Sequence, residues 1–293
     1  HLQIMYGIGG ERTLTERTLD HLEGYRGSRP VRVGNGAYDQ LQLDVYGEVL
    51  EAAYLWHRQN PMTEGTWALL SGLADWVAEN WRRRDSSIWE VRAGVQHYVF
   101  SKVMCWVALD RAVRMAEELG LPGAVERWRA ERAAIQEEVM AQGWSEEKRA
   151  FVQYYGTDAL DAANLLIPVV GFLDPRHPRV RSTIEAVMRE LTSEDRELVY
   201  RYRGPDGLPG EEGVFSICTF WLADALILSG DVEQGERIFR RMLRHANHLG
   251  LYSEELDPAT GEFLGNFPQA FTHIALINTA NLLEWARRGE RAG

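Results

Sequence analysis

Helical segments of two kinds alternate along this chain, and that alternation constrains the fold more than any other feature. Helical periodicity dominates, and nine helices are expected, at about 41–59, 64–83, 97–119, 123–141, 158–172, 178–191, 214–229, 231–249 and 269–287. The fifth, seventh and ninth are apolar nearly all round, as in Ala162-Ala163-Asn164-Leu165-Leu166-Ile167-Pro168-Val169-Val170, Phe215-Ser216-Ile217-Cys218-Thr219-Phe220-Trp221-Leu222 and Ile274-Ala275-Leu276-Ile277. A helix apolar on every face is buried on every face. The fourth, sixth and eighth carry full charged faces, as in Glu233-Gln234-Gly235-Glu236-Arg237, and should face water. Inner and outer helices taken in turn predict two concentric rings.

The connections alternate as well. Short links leave the odd helices, at Leu121-Pro122-Gly123, Asp174-Pro175-Arg176-His177-Pro178 and Gly230-Asp231. Long links leave the even ones, at 84–96, 142–157, 192–213 and 250–268. Consecutive helices run antiparallel, so the long links share one rim, and the irregular opening segment 1–40 feeds the same rim. Long ordered loops on a rigid scaffold usually carry function. Two of them hold short glutamate motifs, Ile88-Trp89-Glu90-Val91-Arg92 and Leu251-Tyr252-Ser253-Glu254-Glu255-Leu256-Asp257. Two carboxylates that face each other across a pocket can hydrolyse a glycosidic bond. Residue types alone also allow a packed indole beside a solvated acid, and they do not separate Glu254 from Glu255.

Charge and composition narrow the function classes. A net charge of −11 with no basic stripe argues against a nucleic-acid partner. No run is apolar and long enough to span a membrane, and no signal peptide is visible. Cys105 and Cys218 both sit in apolar helical stretches and read as buried thiols. The lack of a disulfide pattern points to the cytoplasm. Neither His97 nor His273 has the spacing of a metal site; both read as packed or hydrogen-bonded histidines, and no cofactor is expected. Nine helices that begin and end on an inner one cannot close a ring of inner–outer pairs, whereas three more upstream would make twelve.

Several stretches, in order, resemble glycoside hydrolase family 15, which contains glucoamylases, glucodextranases and some bacterial trehalases. They are Leu2-Gln3-Ile4-Met5-Tyr6-Gly7, Gly24-Tyr25-Arg26-Gly27-Ser28-Arg29-Pro30-Val31-Arg32, Gln40-Leu41-Gln42-Leu43-Asp44-Val45-Tyr46-Gly47-Glu48, the Trp-Glu motif, Ser101-Lys102-Val103-Met104-Cys105-Trp106-Val107-Ala108-Leu109-Asp110 and Gly265-Asn266-Phe267-Pro268-Gln269-Ala270-Phe271-Thr272-His273. The resemblance implies an all-α (α/α)6 barrel. About nine of its twelve helices would lie in one catalytic domain, 1–293, without the first helices and the N-terminal β-sandwich domain that bacterial members usually carry.

The resemblance also implies roles. Glu90 is the expected general acid and Glu254 the expected general base of an inverting mechanism, which needs the two carboxyls roughly 6.5–9.5 Å apart to admit a water. Trp89, Arg203, Glu255, Gln42 and Asp44 are expected to contact or support the sugar. Arg201 competes with Arg203, and Asn35, Gln40, Trp144, Tyr154, Tyr155, Glu211 and Glu212 are further rim residues. Asn35, Gln40, Gln42 and Asp44 read equally as caps of the first inner helix. The expected activity is release of glucose from non-reducing ends of α-glucans or oligosaccharides, with α,α-trehalose hydrolysis as the alternative. An inactive or glycan-binding fragment is the reading of another class. The expected partner is a carbohydrate.

Overall fold

A computed structural model of the protein describes residues 2–194, 198–204 and 212–289. Eight α-helices run through them, α1 (Asp44–His57), α2 (Glu64–Asn80), α3 (Val99–Leu119), α4 (Val125–Gln142), α5 (Pro178–Glu190), α6 (Ser216–Leu228), α7 (Val232–Met242) and α8 (Ala270–Arg288). The chain forms two compact units, His1–Ile135 and Gln136–Gly293, with the boundary inside α4. None of the helices described is long and apolar enough to cross a membrane.

In the first unit, α3 is the buried element. Every residue from Val99 to Val113 is shielded, and Gly120 ends the helix in the left-handed region at φ 63°. The hydroxyl of Thr63 caps α2, accepting from Thr66 N at 3.1 Å. α1 lies directly against α3. A Cβ on Gly47 would stand 2.4 Å from the Met104 carbonyl oxygen, so that approach requires glycine. Tyr46 stacks on Trp76 with ring centres 4.2 Å apart.

Two ionic groups are buried with α3. Asp110 is 3% exposed and takes Arg114 Nε and Arg132 Nη1, both at 2.8 Å, together with Arg111. Lys102 is fully buried; its ammonium donates to the carbonyls of Trp81, at 2.5 Å, and of Arg83. Trp81 is the C-cap of α2 and Arg83 follows it, so the ammonium sits at the helix's C-terminal end, where carbonyls lack helical partners and a cation is favoured. Ahead of α1, the opening segment folds into irregular loops with one two-residue ladder, β1 (Arg17–Thr18) against β2 (Arg32–Val33).

The second unit is built around α6, which is buried along nearly its whole length. α7 packs on it where Gly235 meets Ile227 and Ala223; a Cβ at 235 would lie 2.5 Å from Ile227. Asp231 caps α7, and His177 with Pro178 starts α5. Trp144–Ser145 (β3) pairs with Ala150–Phe151 (β4), and Val214–Phe215 (β5), Glu255–Leu256 (β6) and Phe263–Leu264 (β7) form a small antiparallel sheet in that order. Leu198, Val214, Phe220, Met242, Tyr252, Leu256 and Ala275 make the core that supports this sheet.

Three sequence expectations need correction. The fifth helix is not an α-helix: Ala162–Leu166 forms a 3-10 turn. Pro168 removes a backbone donor and disfavours helical geometry at Ile167. The Asp161 carboxylate takes Ala163 N at 2.8 Å, and the Asn164 amide leaves the segment to reach Val152 O at 2.9 Å. The eighth helix stops at Met242 and passes into a 3-10 turn at Leu243–His245. The ninth, α8, is buried on one side only; Thr272, Ala275, Thr279 and Leu283 face inward, while Phe271, Ile274 and Ile277 are more than half exposed. Both cysteines are free and buried, as expected.

Candidate active site

In the first unit the Trp-Glu motif sits on a tight loop anchored at both ends. Asp85 and Gln96 exchange backbone hydrogen bonds at 3.0 Å, closing the loop. The Asp85 carboxylate is fully buried and accepts from Leu43 N at 3.0 Å and Ser101 Oγ at 2.7 Å. Burial pushes its carboxyl up to about 6. Ser86 N reaches Leu41 O at 3.0 Å, and Val91 N turns back to Ser86 O at 2.9 Å. This frame holds Glu90 at φ 55°, where a residue with a side chain is uncommon. Trp89, next to it in sequence, is buried.

The Glu90 side chain is half-buried. Its Oε2 accepts from Asn35 Nδ2 at 3.2 Å, and its Oε1 takes no hydrogen bond from the described residues. Asn35 is itself held, its Oδ1 accepting from Ala37 N at 2.8 Å. Gln40 donates to Val91 O at 3.3 Å and so braces the same loop. Gln42 and Asp44 are 5% and 4% exposed at the start of α1. Burial, and then the nearby Asp85, hold the Asp44 carboxyl well above the usual carboxylate range. Gln42 Nε2 and Asp44 Oδ1 have no hydrogen-bond partner among the described residues.

In the second unit the Ser-Glu-Glu motif enters the three-stranded sheet. Glu254 N donates to Asn266 O and Ser216 N donates to Glu254 O, each at 2.9 Å, which ties residue 254 to the start of α6. Glu254 Oε2 accepts twice from one residue, from Asn266 N at 2.9 Å and Asn266 Nδ2 at 3.0 Å. Its Oε1 takes no hydrogen bond from the described residues. Glu255 has a different setting. Its Oε2 accepts from Gly213 N at 3.2 Å, and burial, with Glu212 nearby, pushes its carboxyl up to about 7.

Arg201 joins this group: its guanidinium forks onto Glu212, with Nε 2.8 Å from Oε2, and lies over the Phe215 ring at 5.3 Å. Arg203 is exposed, stacks on Tyr200 at 4.3 Å and donates to Thr192 O. The arginine beside the carboxylates is therefore Arg201. His273 Nε2 accepts from Tyr252 N at 3.2 Å, the hydrogen-bonded setting expected of it. Trp144 packs edge-on against Phe151 under Arg179. Glu211 lies outside the described residues.

Each unit thus presents a half-buried glutamate with one oxygen fixed by an asparagine and the other free. Glu254 and Glu255, adjacent and alike in sequence, now differ: two N–H donors meet one carboxylate, and a low-dielectric setting favours a proton on the other. Asn266 was not recognised as a site residue from the sequence. It lies twelve positions from its partner, in the stretch Gly265–His273 that carries the family resemblance, but residue type alone does not show the pairing. No cluster of three or more His, Cys, Asp or Glu side chains suited to a metal occurs among the described residues.

Comparison with known proteins identifies the family. The family description "Glycosyl hydrolases family 15" matches residues 1–235 and 229–281. A trehalase of Mycobacterium tuberculosis is 47% identical over 279 residues, covering 94% of this chain and 41% of its own length. A trehalase of Thermoplasma volcanium is 41% identical over 286 residues, covering 97% of this chain and 46% of its own. The chain spans about half the length of the curated relatives it matches. A bacterial glucoamylase solved with acarbose superposes with a TM-score of 0.71 at 15% identity, over 84% of this chain and 41% of its own. That likeness shows the fold, the glucoamylase (α/α)6 barrel that the resemblance implied. A family match across nearly the whole chain, with this fold beneath it, shows that the chain belongs to glycosyl hydrolases family 15.

Proposed function

We propose that the protein acts as an inverting α,α-trehalase, with Glu90 as general acid and Glu254 as general base. The observation that carries the substrate is the near-full-span similarity to proteins named trehalase, at 47% and 41% identity. The glucoamylase reading that led from the sequence rests on fold likeness alone, at 15% identity. Trehalose therefore moves ahead of α-glucans.

The local geometry supports the roles. Glu90 Oε2 is occupied by Asn35, so Oε1 is the oxygen available to give a proton to the glycosidic oxygen. Glu254 Oε2 is occupied by Asn266, so Oε1 is the oxygen available to take a proton from water. That water attacks the anomeric carbon from the face opposite the leaving glucose, whose oxygen takes the proton of Glu90. Arg201 and Glu212 stand by Glu255, next in sequence to the base, as a paired donor and acceptor suited to sugar hydroxyls.

Turnover of trehalose, maltose and dextrin by the full natural product separates the two substrate classes. We expect kcat/KM for trehalose to exceed that for maltose by about a hundredfold, the scale at which a site matched to one substrate's hydroxyls rejects another. Maltose or dextrin turned over as fast as trehalose would overturn the trehalase reading.

A further inference from the structure

The geometry points to Asn266 as a positioning residue that aims the Glu254 carboxylate; this rests on the reading of Glu254 as the base. Two features converge on one oxygen, and a backbone hydrogen bond joins the same two residues. Asn266 donates both its backbone and its side-chain N–H to Glu254 Oε2, at 2.9 and 3.0 Å. The two residues are also joined through their backbones, Glu254 N to Asn266 O at 2.9 Å. Gly265 sits at φ 70°, and a Cβ there would stand 2.6 Å from the same Oε2. The turn before Asn266 thus needs glycine twice over, for its backbone conformation and for the space the carboxylate occupies.

Two donors from one residue fix the plane of the carboxylate as well as its position. Rotation about the terminal torsion of a glutamate is otherwise broad. With Oε2 held, Oε1 keeps one direction, which is what a base needs toward a single water. Asn266 is exposed and sits in a turn, so its side chain has no packing role that would explain the arrangement. Glu255, next in sequence, has no such clasp; its donor among the described residues is the Gly213 amide.

The test uses the full natural product and trehalose turnover. Asn266→Ala should lower kcat by about 10- to 100-fold with KM nearly unchanged, the scale of misplacing a catalytic group. Asn266→Asp has the same shape but sets a carboxylate against a carboxylate, so its loss should be larger than that of Asn266→Ala. In a Glu254→Ala background, adding Asn266→Ala should cost nothing more, because the residue acts only through Glu254. Thermal unfolding midpoints of all variants check that the fold persists. A loss in the Glu254→Ala background as large as in the wild type overturns the proposal, as does a change confined to KM or an unchanged kcat. If Glu254→Ala itself kept near-full turnover, the base assignment would fall, an outcome distinct from an inert Asn266 beside an essential Glu254.

Discussion

Glu254→Gln is expected to lower trehalose turnover by about 10²- to 10⁴-fold, the usual contribution of a positioned acid or base, and the loss should persist on α-glucosyl fluoride. Glu90→Gln should cost as much on trehalose but less than about tenfold on the fluoride. The asymmetry follows from what each carboxyl does. A departing glucose oxygen needs a proton, and the proposed mechanism has Glu90 supply it through the oxygen that Asn35 leaves free. Fluoride departs without a proton, so the acid becomes dispensable. The attacking water must lose a proton with either substrate, so the base does not. Both variants are near-isosteric and keep an oxygen able to accept the Asn35 or Asn266 amide, so folding should be preserved. Steady-state rates on the two substrates read out the whole pattern; equal losses for Glu90→Gln on both would remove it from the acid role.

The largest stability effect is expected at Lys102. The side chain is fully buried on α3, and its ammonium closes the end of α2 through the carbonyls of Trp81 and Arg83. Lys102→Met keeps the stem and deletes the donors. Two carbonyls left without a donor set a scale of roughly 1–3 kcal/mol each. Removing a buried charge offsets part of that, so the net loss should be about 2–4 kcal/mol. Denaturant unfolding of the variant measures it, and an unchanged midpoint would contradict the capping role. The consequence reaches the site, because Asp85, two residues beyond Arg83, anchors the loop that carries Glu90.

Much of this was legible in the sequence because burial and helical period are written in residue type. The all-round apolar run from Phe215 to Leu222 became α6, and the charged faces became α4, α5 and α7. The two glutamate motifs stood out because each interrupts apolar helices with an acid in a long loop. Where the reading failed, a local interaction outweighed the pattern. The run 158–172 is apolar enough for a buried helix, yet Pro168, Asp161 and Asn164 redirect its backbone into a 3-10 turn. α8 is apolar on a face that no described element covers, so its composition overstated its burial.

The finer features of the site depend on pairs distant in sequence, which one sequence does not display. Nothing in Tyr200-Arg201-Tyr202-Arg203 says which guanidinium turns toward Glu212; the alternation of side chains along an extended segment made the two arginines equivalent. Nothing in Glu254-Glu255 says which carboxylate meets Asn266 and which is driven toward its protonated form. Substrate choice was the least legible of all, since one acid–base pair serves any α-glucoside and preference lies in the surrounding pocket.

The central claim is that two glutamates in the full natural product hydrolyse trehalose with inversion at one of its two anomeric carbons. Proton NMR of the first products tests it most directly, before mutarotation mixes the anomers. Inversion releases the attacked glucose as the β anomer and the departing glucose as the α anomer, so the account predicts the two in equal initial amounts. Two α-glucose molecules per trehalose, with β-glucose growing in only as mutarotation proceeds, would contradict it.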